Sequence, residues 1–196
     1  MKKILTTFLF LCLFTLACQA QFRYGIKGGA NFSNYTGDNI GDFMDKNMTL
    51  FFIGPSAEFF LIGPLGLEAS LLYVQRGIKL KADDKKYKRS YIELPVNLKY
   101  RFASIGLARP YLVAGPYIDF KISGKDKFGD IKDNVDTQWK AKSFGAGINI
   151  GGGVELLRIL QVGVNYGLGL TENYKASDGK YAVKENILSV TAGVYF

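Results

Sequence analysis

The sequence predicts an all-β fold, an eight-stranded antiparallel up-and-down barrel that crosses a membrane. Three observations carry that reading. Between Tyr91 and Phe102 the chain alternates almost without a fault: Ile92, Leu94, Val96, Leu98, Tyr100 and Phe102 fall on one side, Tyr91, Glu93, Pro95, Asn97, Lys99 and Arg101 on the other. A strand sends successive side chains to opposite faces, and no helical period fits the run. The same two-faced pattern returns along the whole chain. Short and long connections also alternate between the strands, which antiparallel neighbours allow and parallel ones do not. Short turns at one end and long loops at the other are the layout of an outer-membrane barrel, with the turns periplasmic and the loops extracellular.

The first strand sets Phe22, Tyr24, Ile26, Gly28, Ala30 and Phe32 against Arg23, Gly25, Lys27, Gly29, Asn31 and Ser33, and a polar loop follows to about Met48. The second, roughly Thr49 to Phe60, places Phe51, Ile53, Pro55, Ala57 and Phe59 opposite Phe52, Gly54, Ser56 and Glu58. A turn through Gly63 and Gly66 leads to the third, where Glu68, Ser70, Leu72, Val74 and Arg76 share a face and the Leu71-Leu72 pair blurs the alternation. The charged stretch Lys81 to Arg89 reads as a loop before the fourth strand, the run described first. The fifth sets Pro110, Leu112, Ala114, Pro116, Ile118 and Phe120 against Tyr111, Gly115, Tyr117, Asp119 and Lys121, and the longest loop, about Ser123 to Trp139, follows. The sixth strand ends near Glu155, the seventh runs from Leu160 to Thr171, and after a loop from Asn173 to Glu185 the last carries Leu188, Val190, Ala192, Val194 and Phe196 on one face.

Alternation also suits a soluble lipocalin-like barrel, which keeps its apolar face inside. Three features favour the membrane version. Phe22, Phe32, Phe59, Phe102, Phe120 and Phe196 sit at strand ends on the apolar face, as interfacial girdles do. The polar face is rich in glycine, which leaves room beside long charged side chains in a narrow lumen and would only weaken strands facing water. The chain ends on Phe196, so Val194 and Phe196 read as the terminal-strand signal met by barrel assembly machinery. Closure removes sheet edges, and in lipid it is compulsory because every backbone polar group must be paired. Pro55, Pro95 and Pro116 each delete a ladder donor and are expected to mark bulges.

Met1 to Lys3 followed by the apolar run Ile4 to Ala17 has the form of a secretory signal peptide, too short for a spanning helix of about 20 residues. Residues 1–20 are therefore read as a leader and 21–196 as one barrel domain. Two processing routes fit: cleavage after Ala20, or lipidation of Cys18 within Thr15-Leu-Ala-Cys18. Thr in place of the usual Leu at that box's first position favours cleavage. Both cysteines, Cys12 and Cys18, lie in the leader, so a chain cut after Ala20 has neither disulfides nor thiolate chemistry. Without Lys2 and Lys3 the basic residues fall from 25 to 23, and against 17 acids the net charge is +6. For an exported protein the anionic partner of such a charge is a membrane surface, not nucleic acid.

The chain has no histidine. That removes Ser-His and Asp-His hydrolases and His-based metal sites, and the protein is expected to be no enzyme and to need no cofactor. Asp126, Asp130, Asp133 and Asp136 lack calcium-loop spacing, and the Gly145 to Gly153 run lacks the dinucleotide fingerprint. The polar face gathers Arg23, Lys27, Arg76, Lys99, Arg101 and Lys121 with Glu58, Glu68, Glu93, Asp119 and Glu155. Charges in an interior just wide enough for side chains must pair, so these are expected to form a salt-bridged plug, with an ion path as the alternative. A Glu58–Glu68 acid/base pair would further need proximity and a cleft. Lys85, Lys86, Lys88 and Arg89 are expected at the outer leaflet, within reach of lipopolysaccharide phosphates.

Three segments, Gly25 to Ser33, Tyr91 to Tyr100 and Arg109 to Tyr117, resemble the PorT-like outer-membrane β-barrel family. The resemblance extends over essentially all of residues 21–196. It implies an eight-stranded barrel in the bacterial outer membrane and, through the family's namesake, a link to a type IX protein secretion machinery. The expected partners are outer-membrane lipid, lipopolysaccharide, the barrel assembly machinery and a larger outer-membrane or secretion complex. The expected role is a structural or accessory subunit, with a small porin-like diffusion channel as the alternative.

Overall fold

The computed structural model describes residues 21–36, 44–45, 49–80, 86–124, 127–128, 139–141, 143–171, 174–176 and 182–196. The leader reading and the four acids of the longest loop lie outside these residues. Eight strands form the wall: β1 (Gln21–Thr36), β2 (Thr49–Ile62), β3 (Leu65–Ser70 and Leu72–Leu80), β4 (Lys86–Arg101), β5 (Ala108–Ser123), β6 (Phe144–Leu156), β7 (Leu160–Gly169) and β8 (Ala182–Tyr195). Each pairs antiparallel with the next, and β1 pairs with both β2 and β8, so the sheet closes on itself. At the seam Tyr24 and Phe196 exchange backbone hydrogen bonds of 3.2 and 2.8 Å.

The barrel is inside out relative to a soluble protein. Lys99 and Glu58 are 0 % exposed, whereas Phe22 is 63 %, Leu112 54 % and Ile150 57 % exposed. Apolar side chains cover the outer wall from rim to rim, far more than an isolated patch of a few hundred Å² on a soluble monomer. Such a wall requires hydrocarbon around it. Aromatics gather at both ends of it. Phe22, Tyr24, Tyr100, Phe102 and Phe196 ring the short-turn end, with Tyr100 and Phe102 edge to face at 5.0 Å. Phe51 and Tyr73 lie 6.2 Å apart at the other end, and Phe120 and Phe144 5.3 Å apart. Phe59 points outward as expected but is half covered.

Strand boundaries move outward at the loop end. Pairing of β3 with β4 continues to Lys79 and Lys86, so much of the stretch expected as a charged loop is strand. Likewise β1 and β8 stay paired as far as Thr36 and Lys184. A small sheet of Lys127–Phe128, Trp139–Ala141 and Tyr174–Ala176 joins β8 at this end. Polar side chains alone do not stop a ladder whose partner strand carries on.

The prolines do not mark bulges. The irregularities fall between Phe60 and Ile62 and between Ser90 and Tyr91 instead. Around Pro55 the β2–β3 register is unchanged, and only one half of a bond pair is lost: Leu71 N–H donates to the Pro55 carbonyl at 3.0 Å, while proline has no N–H to return. That missing bond is the break in β3 at Leu71, and the inward–outward alternation passes through it in phase. The β4–β5 ladder likewise has a gap between its Pro95–Tyr117 and Leu98–Ala114 pairs, beside Pro116. Glycine precedes both prolines for a steric reason. A Cβ at Gly54 would lie 2.0 Å from the Leu71 carbonyl oxygen, and one at Gly115 2.1 Å from that of Val96.

Candidate functional site

All eleven charged residues expected in the lumen occupy the bore side of the wall; Arg23, Glu93 and Lys121 are half-buried and the rest buried. They arise by the alternation of the strands, which puts every second residue of β1 to β6 inward. The structure divides the ion pairs it describes into two groups rather than one network.

The larger group lies toward the short-turn end and centres on Lys99 of β4. Its ammonium donates to Glu58 at 2.6 Å, Glu68 at 2.8 Å and the Gln161 side-chain oxygen at 2.7 Å, using all three of its hydrogens. It also lies 4.0 Å above the Tyr111 ring. These partners come from β2, β3, β7 and β5, so one cation ties together opposite parts of the wall. Glu68 further accepts from Lys27 at 2.5 Å, and Glu155 from Arg23 at 2.5 Å. The Gln161 amide donates to Glu58 at 2.8 Å and Glu155 at 3.2 Å, joining the two ends of the group. The smaller group, toward the loop end, is Arg76 bonded to Glu93 and, at 3.0 Å, to Asp119. Its guanidinium lies 4.9 Å from the Tyr91 ring centre.

Glu58 and Glu68 are brought together as directly opposed residues of β2 and β3. Like charges so placed repel. Lys99 bonds both carboxylates, and that position makes them a cation clamp, not a general acid and base facing a cleft. Among the described residues no group of three or more His, Cys, Asp or Glu could hold a metal ion.

Several interior residues were not singled out in the sequence. Gln161 bridges the larger group, Tyr195 donates to Ser56 at 3.0 Å, and Phe60 receives on its ring, at 3.3 Å, the guanidinium of Arg101. Tyr111 fills the space left by two glycines: a Cβ at Gly153 or Gly163 would lie 2.7 Å from its hydroxyl. The glycine-rich inner wall thus accommodates tyrosine here as well as charge. Phe52, Leu72, Val74 and Tyr91 also face inward as an apolar cluster, which explains the blurred alternation at Leu71-Leu72. Together with Phe52, Leu72 and Val74 of this cluster, Asn31, Asn97, Asn149 and Asn165 line a cavity of about 40 Å³.

The outer basic residues separate. Lys88 is exposed, Lys86 begins β4 and Lys85 lies outside the described residues. Arg89 corrects the expectation: it is buried, because the strand already runs from Lys86 and Arg89 is in phase with Tyr91 and Glu93 on the bore side. Val194 and Phe196 both lie exposed on the outer wall, and the Phe196 ring is 6.4 Å from that of Tyr24.

Known structures share this architecture. Neisserial surface protein A (NspA) is 15 % identical, with 90 % of this chain and 99 % of that one covered and a TM-score of 0.51. Ail, the attachment invasion locus protein of Yersinia pestis, is 14 % identical, with the same coverage and a TM-score of 0.50. At these identities the likeness concerns the fold alone. No curated protein matches the chain. The family model for the outer membrane protein beta-barrel domain matches residues 18–175. With its closed eight-stranded wall, apolar outside and ionic within, the chain belongs to the outer membrane protein beta-barrel domain family, and its place is the bacterial outer membrane.

Proposed function

We propose that the chain is a non-enzymatic outer-membrane barrel with a plugged lumen that serves as a structural or accessory subunit of a larger assembly. The observation that carries the plug is the Lys99 ammonium, buried and bonded to Glu58, Glu68 and Gln161 across the bore. An ion entering the bore would have to break contacts among charges that have already lost their water, and breaking a buried pair costs several kcal/mol, roughly 3–5. Planar-bilayer recording tests this directly. The purified barrel is expected to give no stepwise conductance; reproducible ohmic steps would establish the second reading, a small diffusion channel. That reading is favoured by the asparagine-lined cavity near Lys27 and Glu93.

The accessory role rests on the resemblance of three strand segments to PorT-like barrels, and with it the link to protein secretion. Pull-down of the tagged chain from native membranes in mild detergent is expected to retain a partner complex, and a consistently lone monomer would refute the role. In the same reading the leader directs export and is removed after Ala20. Val194 and Phe196 are recognised by the barrel assembly machinery, and the basic loop-end residues Lys85, Lys86 and Lys88 meet lipopolysaccharide.

A further inference from the structure

The short-turn mouth of the bore carries more positive charge than its carboxylate can balance. Arg23, Arg101, Arg109, Glu155 and Arg158 line one recess of about 190 Å³ there. Glu155 serves two of the arginines: Arg23 bonds it at 2.5 Å, while standing 3.5 Å from Glu58, a carboxylate already bonded to Lys99, and Nη1 of Arg101 lies 3.9 Å away. Arg109 donates through Nε to the neutral Ser104 hydroxyl at 2.9 Å. Among the described residues neither Arg109 nor Arg158 has a carboxylate partner. Arg158 is held at the rim by its turn. Leu157 and Arg158 have φ of 54° and 61°, and the Arg158 carbonyl accepts from Arg23 at 2.6 Å.

We propose that this recess binds a phosphate-type oxyanion, held chiefly by Arg109 and Arg158 with Arg101 behind them. Guanidinium groups present paired N–H donors that match phosphate oxygens, and the pairing strengthens against a wall of lower dielectric than water. A volume of about 190 Å³ exceeds what one water needs, about 10–15 Å³, and admits such an ion with part of its hydration. Two sources present this group at the short-turn end. One is a free phosphate ion. The other is an anionic phospholipid headgroup folded over the rim, where Ile105, Leu107 and Leu157 are exposed and apolar.

The test uses the full barrel in dodecyl maltoside, a detergent without phosphate. Inorganic phosphate is titrated calorimetrically in one arm, and phosphatidylglycerol is added and followed by native mass spectrometry in the other. Binding in either arm is expected to weaken about tenfold or more in Arg109→Gln and in Arg158→Gln, the loss of one charge-assisted contact. Ser123→Ala, exposed at the opposite end of the barrel, is expected to leave it unchanged. Heat-modifiable electrophoretic mobility checks that each variant is folded; should Arg109→Gln fail that check, the exposed turn variant Arg158→Gln decides. Dependence on these arginines with phosphate alone identifies a free ion, and dependence only with phosphatidylglycerol identifies a headgroup. No binding in either arm, or equal binding by the arginine variants, overturns the proposal. A conducting barrel would leave this test unaffected.

Discussion

Lys99 is the residue on which the interior geometry converges. Glu58 and Glu68 face each other across β2 and β3, and the one ammonium bonds both. Lys99→Met keeps the side-chain length and removes the charge, leaving two buried carboxylates without their shared partner. The expected loss is roughly 3–5 kcal/mol, read as a lower denaturant midpoint for unfolding in detergent micelles. A midpoint equal to that of the unsubstituted chain would mean that water enters and solvates the carboxylates. The alternation of Glu58, Glu68 and Lys99 with apolar neighbours made their inward direction legible in the sequence. Their convergence was not, because period-2 patterning states a face and says nothing of which strands meet across a bore. Gln161 was passed over for a related reason: an uncharged amide among glycines and valines gives no signal until its two carboxylate neighbours are known. Arg89 misled in the opposite way, since a run of basic residues reads as solvated loop until the strand is found to continue through it.

At the scale of the strand, β8 is the element whose pairing completes the wall. It carries Val194 and Phe196 outward and bonds β1 along its length. Phe196→Ala removes an exposed ring beside Tyr24 while leaving the seam's backbone bonds intact. The proposed recognition of this end therefore implies slower insertion into native membranes with little change in unfolding midpoint once folded. Pulse-chase appearance of the heat-modifiable form measures the first. Unchanged insertion kinetics would show that the ring serves only the aromatic belt. Strand existence and facing were legible for all eight strands. The ends were not, because pairing extends as far as a partner extends, as Lys79 with Lys86 illustrates. Nor was the effect of Pro55: one missing N–H interrupts a ladder without shifting its register.

The whole molecule separates its charge by depth. Neutralised pairs occupy the bore, arginines gather at the turn end, and exposed Lys88 stands at the loop end. Reversal of Lys85, Lys86 and Lys88 to glutamate is expected to reduce binding of the barrel to lipopolysaccharide-containing vesicles, most strongly at low salt, because exposed charges act over about 10 Å at 0.1 M. Co-flotation across a salt series measures this, and unchanged flotation at low salt would dispose of the contact. Barrel closure and the outward apolar wall were legible in the whole sequence, through the girdles and the glycine-rich inner face. The arginine mouth was not, since Arg109 opens β5 and Arg158 follows β6, and it takes the observed register, Ala108 against Leu156, to set them side by side.

Because Tyr24 and Phe196 clasp one another, the opening and closing segments of the polypeptide are mutual neighbours. Strands β1 to β7 by themselves leave both borders of the sheet unpaired, and only β8 satisfies them. Such a cylinder is completed when β8 docks or left gaping, with the edges of β1 and β7 bare until then.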